Sequence, residues 1–188
     1  MKCYQDLQTP EGELAAALGS FDGLHLGHRQ VIGNTLSAPG LRPAVITFQQ
    51  NPSVSLQKKP VPLLTTNEQK LALLEEMGVE VVYLLPFDRI RDMEPEDFVE
   101  ALYRICRVRA LSCGFNFRFG KNGRGDAGLL KELCREKGIE LSVTPPVSVA
   151  GETVSSTRIR ACLEQGDVQQ AGQLLGRPFG YDFEVPHG

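Results

Sequence analysis

The 188-residue sequence contains no apolar run approaching the length of a membrane span, and Met1-Lys2-Cys3-Tyr4-Gln5-Asp6 holds no signal-peptide core. It has no excess of positive charge. Its 20 lysines and arginines face 23 aspartates and glutamates, for a net charge of −3, which argues against a nucleic-acid coat. It has no C-x-x-C pair, and Cys3, Cys106, Cys113, Cys134 and Cys162 are odd in number, which suits neither a disulfide framework nor a zinc site. Neither the dinucleotide fingerprint nor the P-loop spacing occurs. Together these absences predict a cytoplasmic protein with reduced cysteines that binds neither membrane nor nucleic acid.

What is present is an ordinary globular composition, 41% hydrophobic and 23% charged, at a length that suits one domain with a short appendage. Apolar strands alternate with amphipathic helices. Glu13–Leu18 and Pro43–Phe48 have the composition of buried strands, and Val79–Leu85, Val108–Cys113 and Ile139–Val143 read as further strands. Helical patterns follow His28, then Thr66-Asn67-Glu68-Gln69 with its capping-box spacing and the stripe Leu71, Leu74 and Met77. Further helices start at Pro95, at Asp126 (stopping at Gly138), at Ser156 and at Asp167. The alternation predicts an α/β fold with a doubly wound parallel sheet. In such sheets ligands bind beyond the carboxyl ends of the strands, so the loops Gly19–Gly27, Gln49–Lys59 and Gly114–Asp126 are expected on one edge.

The first of these loops, Gly19-Ser20-Phe21-Asp22-Gly23-Leu24-His25-Leu26-Gly27-His28, runs from a strand into a helix. Its glycines allow sharp turns and close backbone approach, and the free N–H groups of a helix start favour an anion. His25 and His28, three apart, fall on one side of the first helical turn and can donate to phosphate oxygens. Two alternatives stand beside a phosphate site. A metal pair would need a third ligand, and the one other histidine is the distant His187. A structural turn with incidental histidines needs nothing more.

Two further stretches carry chemistry. Ser155-Ser156-Thr157-Arg158 opens a helix whose N–H groups, with the arginine, suit a second anion contact; an ordinary cap with surface arginines is the alternative. Gly114-Phe115-Asn116-Phe117-Arg118-Phe119-Gly120 puts three aromatic rings around an amide and a guanidinium. That composition fits a pocket for a flat aromatic group with a polar edge, or else a satellite core.

The pattern G-x-F-D-G-x-H-x-G-H resembles the nucleotidylyltransferase signature in the form used by bacterial FAD synthetases. Gly-Phe-Asn-Phe-Arg-Phe-Gly with Gly125-Asp126 resembles the family's second motif. Val154 to Arg160, followed by Gly166-Asp167 and Leu174 to Phe179, resembles the third. The resemblance runs from Leu18 to Arg177 and implies a Rossmann-like fold and FMN adenylyltransferase activity, with ATP and FMN as substrates and Mg2+ carried by ATP. It implies catalytic roles for His25, His28, Asn116 and Arg158. ATP would be bound by Gly19, Ser20, Phe21, Asp22, Gly23, Gly27, Ser155, Ser156 and Thr157, and FMN by Asn51, Phe115, Phe117, Arg118 and Asp126. No protein metal ligand is implied. Family members commonly show Thr-Phe-x-Pro-His-Pro where this chain has Thr47-Phe48-Gln49-Gln50-Asn51-Pro52, so a proline and a histidine are absent from that loop. Transfer to another phosphorylated acceptor such as phosphopantetheine, and a binding module without catalysis, are the rival functions. Relatives are usually bifunctional. Residues 1–178 are therefore expected to form the adenylyltransferase domain, and 179–188 the linker into a riboflavin kinase domain expected in cis in a full-length relative.

Overall fold

The computed structural model describes residues 1–50 and 61–180. Leu14–Leu18 (β2) is apolar throughout and buried on both faces, as a strand in the middle of a parallel sheet must be. Around it runs a six-stranded sheet in the order β1 (Lys2–Tyr4), β4 (Val81–Leu85), β3 (Arg42–Phe48), β2, β5 (Val108–Gly114) and β6 (Glu140–Thr144). Every neighbouring pair is parallel.

Helices cover both faces. On one side α1 (Leu26–Leu36) and α2 (Asn67–Glu76) bury Val31, Ile32 and Leu74 against Ala17, Val45 and Val82. On the other, α4 (Pro95–Arg104) and α5 (Ala127–Lys137) press Phe98, Val99, Leu102, Leu130 and Leu133 onto Leu14, Ala16, Ile46 and Tyr83. Each such side chain is worth about 1.5–3 kcal/mol on full burial. A short α3 (Phe87–Ile90) precedes α4. The last pair, α6 (Ser156–Glu164) and α7 (Val168–Leu175), makes its own cluster around Ile159, Leu174 and Leu175, which Leu64 joins.

The caps explain the helix starts. Thr66 and Gln69 form both halves of the capping box, Asp126 accepts from the Leu129 N–H, Asp167 from that of Gln170, and Pro95 is the first residue of α4. Helix α5 ends at Gly138, whose left-handed backbone closes the last turn. The doubly wound parallel sheet expected from the alternation is therefore present. Strands β2, β3 and β4 step outward in one direction, and the chain then returns to place β5 on the other side of β2. The order reverses between β2 and β5, where a crevice opens at the carboxyl ends of the strands.

Three elements depart from the sequence expectation. Strand β1 is three mostly exposed residues, too few to show an apolar pattern; it exists because the edge of β4 accepts it and Tyr4 meets Tyr83 at 5.1 Å between ring centroids. Helix α3 is one turn long, too short for a periodic signal. A small hairpin, β7 (Ser148–Val149) and β8 (Glu152–Thr153), follows the prolines that end β6. Asn51 and residues 181–188 lie outside the described residues, as does most of the Gln49–Lys59 loop.

Candidate active site

The first strand–helix connection is held in an unusual backbone path. Phe21 and Leu24 both take positive φ, +49° and +44°, a conformation that costs a side-chain-bearing residue free energy. Their burial offsets it: Phe21 and Leu24 are essentially inaccessible. Gly23, at φ +85°, has no room for a side chain, since a Cβ there would lie 2.8 Å from Leu64 Cδ1. The Phe21 ring passes beneath Gly19, where a Cβ would meet it at 2.9 Å, and reaches His28 edge-on at 5.3 Å between centroids.

This path delivers the two histidines as a stacked pair, 3.5 Å between centroids and 15° from parallel. His25 is the N-cap of α1, and its Nδ1 accepts from the His28 N–H at 3.2 Å. An Nδ1 that accepts must be unprotonated in the neutral ring, which places the proton on Nε2. His28 Nδ1 is buried with no hydrogen-bond partner among the described residues, the kind of orphan a ligand satisfies. Burial lowers the His25 pKa to about 4. Burial, then the neighbouring His25, then Lys70 hold His28 well below its ordinary value. Both rings are therefore neutral at pH 7, and an arriving anion would draw protons onto them.

A pH-dependent stability follows. Between pH 4 and 6.5 the unfolded His25 binds a proton that the folded one refuses, so stability rises with pH there. It is complete above about 6.5 and is lost as pH falls toward 4, by up to about 3 kcal/mol from this residue. Urea unfolding at pH 7 and pH 4.5 measures it. In His25→Asn, which retains a capping side chain, this share of the acid loss should vanish.

A cleft of about 490 Å3 opens over the carboxyl ends of β2, β3, β5 and β6. Gly19, Ser20, Phe21, His25, Gly27 and His28 form one wall. Phe115, Asn116, Phe117 and Arg118 form another. Ser155, Ser156 and Thr157 form a third, at the start of α6, where Ser155 caps the helix by accepting from the Arg158 N–H at 3.2 Å. Two helix N-termini, α1 and α6, thus open onto one cavity.

The three phenylalanines divide their labour. Phe119 is in the main core against Phe98, and Phe117 stacks on it at 5.7 Å between centroids while still facing the cleft. Phe115 is about half exposed at the cleft rim. One loop thus supplies a ring to the main core and two to the cleft.

Four of the residues singled out in the sequence do not line the cleft: Asp22, Gly23, Asp126 and Arg158. Arg158 instead turns onto the β7–β8 hairpin, donating to the Glu152 carbonyl at 3.0 Å and pairing with the Glu152 carboxylate at 3.0 Å. Asp126 caps α5 and faces Arg118 at 3.6 Å, and the Leu129 N–H it accepts from holds its carboxyl below the usual range. Asp22 is buried beneath the loop. It accepts from the N–H groups of Leu64 (2.9 Å) and Thr65 (3.3 Å) and pairs with Arg160, while its own carbonyl accepts from Ser156 Oγ at 2.8 Å. Gly23 is tied to Thr65 Oγ1 and, through its carbonyl, to Arg177 at 2.9 Å.

Two cleft features and one residue behind the cleft wall carried no assignment in the sequence. Arg160 lines the cleft, two residues past the arginine singled out; helical phase brings it under the loop while Arg158 points to the hairpin. Pro145 and Pro146, legible only as a strand end, are wall residues. Lys70, on the buried side of α2, donates to the carbonyls of Ser20 and Phe48. No cluster of three metal-ligating side chains occurs among the described residues, and the His25–His28 pair finds no third partner. Nor is any helix among them long and apolar enough to cross a membrane.

The doubly wound α/β fold itself recurs among solved structures. Pantoate–β-alanine ligase from Francisella tularensis superimposes with a TM-score of 0.57 over 98% of this chain and 90% of its own, at 15% identity, a likeness of fold alone. The chain belongs to the FAD synthetase family, whose model matches residues 7–158. It is 34% identical to the bifunctional riboflavin kinase/FMN adenylyltransferase of Listeria monocytogenes over 92% of this chain and 56% of that protein. With the Bacillus subtilis protein of the same name it shares 32% identity over 97% and 59%. FAD synthetase 1, chloroplastic, of Arabidopsis thaliana is 33% identical over 86% and 51%. A Streptococcus pneumoniae structure named as a macrolide-efflux protein superimposes with a TM-score of 0.84 at 26% identity, over 95% of this chain and 61% of that one. The chain thus spans between half and three fifths of the length of these curated relatives.

Proposed function

We propose that residues 1–178 transfer the adenylyl group of ATP to FMN, releasing FAD and pyrophosphate. The observation that carries this reading is the convergence of two helix N-termini and a stacked histidine pair on the cleft that also receives the phenylalanine loop. A polyphosphate is long enough to be held from both helix starts, and a flavin ring is flat enough to lie against Phe115 and Phe117. The naming of the relatives favours FMN over phosphopantetheine as the acceptor.

In this mechanism a phosphate oxygen of FMN attacks the α-phosphorus of ATP in line. The bond to the bridging oxygen breaks, and pyrophosphate leaves with that electron pair. No covalent intermediate on the protein is needed, so the chain contributes position and charge stabilisation. His25, through Nε2–H, and His28 donate to phosphate oxygens as negative charge builds. The N–H groups of Ser156 and Thr157 hold the departing pyrophosphate, and Arg160 supplies the cation at that wall, a role the sequence had suggested for Arg158. Asn116 meets the substrate on the flavin side. Among the described residues no carboxylate lines the cleft, so Mg2+ would be held mainly by ATP oxygens and serve to neutralise their charge.

Incubating the chain with Mg-ATP and FMN should release pyrophosphate and FAD in equal amounts, with no release on phosphopantetheine. Binding of both substrates without FAD formation would establish the binding-module alternative.

A further inference from the structure

Lys70 is placed where a lysine is poorly suited. It lies one turn from the N-terminus of α2, where the helix dipole disfavours a cation, and it is buried, 6% exposed, on the same face as Leu74. Taking an ammonium out of water is costly unless it is paired. Yet among the described residues no carboxylate oxygen approaches its Nζ within ion-pair distance. Its partners are two main-chain carbonyls, Ser20 at 3.2 Å and Phe48 at 3.4 Å. These carbonyls stand at the carboxyl ends of the neighbouring strands β2 and β3, and both residues line the cleft. The Ser20 carbonyl also accepts from Thr47 Oγ1 at 3.0 Å, so the same atom is held from two sides.

The charge is felt on both sides of this wall. Burial lowers the Lys70 pKa and Asp22 opposes that shift, while Lys70 in turn is among the groups that keep His28 unprotonated. A cation directly behind a cleft wall, with no carboxylate paired to it, leaves its field directed at whatever anion the cleft receives.

We propose that Lys70 is a positioning residue of the polyphosphate site: its buried charge attracts the triphosphate through the Ser20–Phe48 wall, and its hydrogen bonds fix the ends of β2 and β3 that form that wall. This rests on the reading of the cleft as an ATP site. Attraction at a distance grows with the number of ligand charges, whereas a plain strut between two carbonyls would affect every ligand of the wall alike.

Calorimetric titration of the full chain with ATP, ADP and AMP separates the two. Lys70→Met removes charge and hydrogen bonds; Lys70→Gln removes the charge and keeps an N–H donor. Both should bind ATP about 10-fold more weakly, ADP less so, and AMP nearly as the parent does, on the scale of one charge acting across a poorly screened wall. A thermal melt by circular dichroism verifies folding, and should Lys70→Met unfold, Lys70→Gln carries the test. Equal losses for all three nucleotides, or no loss, would overturn the charge role. A parent chain that itself shows no preference for ATP over AMP and makes no FAD would instead overturn the ATP reading of the cleft.

Discussion

His28→Ala is expected to slow FAD formation by about 10² or more while leaving the FMN KM nearly unchanged. His28 stands on the wall made by the Gly19–Gly27 loop, stacked on His25 and edge-on to Phe21, with a ring nitrogen that has no partner among the described residues. A donor whose partner is the developing charge of the transition state lowers kcat when it is removed, and does so without a matching change in ground-state affinity. The substitution opens space onto the cleft rather than inside the core, so the variant should melt within a few degrees of the parent. Steady-state kinetics with FMN and ATP varied in turn provide the check. A folded variant with full activity would take His28 out of the mechanism. His25→Ala should lose activity and also some stability, because the same ring caps α1 through Nδ1.

Asp22→Ala should be the most destabilising single change at the site, by about 3–5 kcal/mol. Its carboxylate is 2% exposed and serves two groups at once, the paired N–H donors of Leu64 and Thr65 and the Arg160 guanidinium. Truncation leaves a largely buried cation without its counter-charge and two buried donors without an acceptor. The consequence reaches the chemistry, because Arg160 lines the cleft and Asp22 sets where its guanidinium lies. Asp22→Asn retains an oxygen for the two N–H groups and should fall between the parent and Asp22→Ala in urea unfolding. It should show a larger proportional loss in turnover than in stability. A loss below about 1 kcal/mol in Asp22→Ala would mean that the pair contributes little to holding the loop against α6.

Local pattern alone specified most of the sheet and its helices. Strands β2, β3 and β4 are short, largely apolar runs, and the starts of α2, α5, α6 and α7 are written in capping residues that act within three positions of themselves, that of α4 in Pro95. The path of the Gly19–Gly27 loop was legible for the same reason: glycine placement and histidine spacing are properties of consecutive residues, and they predict a strand–turn–helix connection without reference to anything distant. Tertiary structure decided what depends on partners remote in the chain. Strand β1 has no pattern of its own and forms only because β4 presents an open edge. Two arginines two residues apart are indistinguishable as residue types. Helical phase sends Arg160 to Asp22, 138 positions away, and Arg158 to a hairpin that no sequence pattern announced. Asp22 has the look of a ligand-binding carboxylate in its motif, yet the burial of the loop makes it the anchor of three segments. Lys70 reads as one more polar residue in an amphipathic helix. Only the packing of α2 against the ends of β2 and β3 turns it into a buried charge behind the cleft, because burial and the field it creates are set by neighbours brought in from elsewhere in the chain.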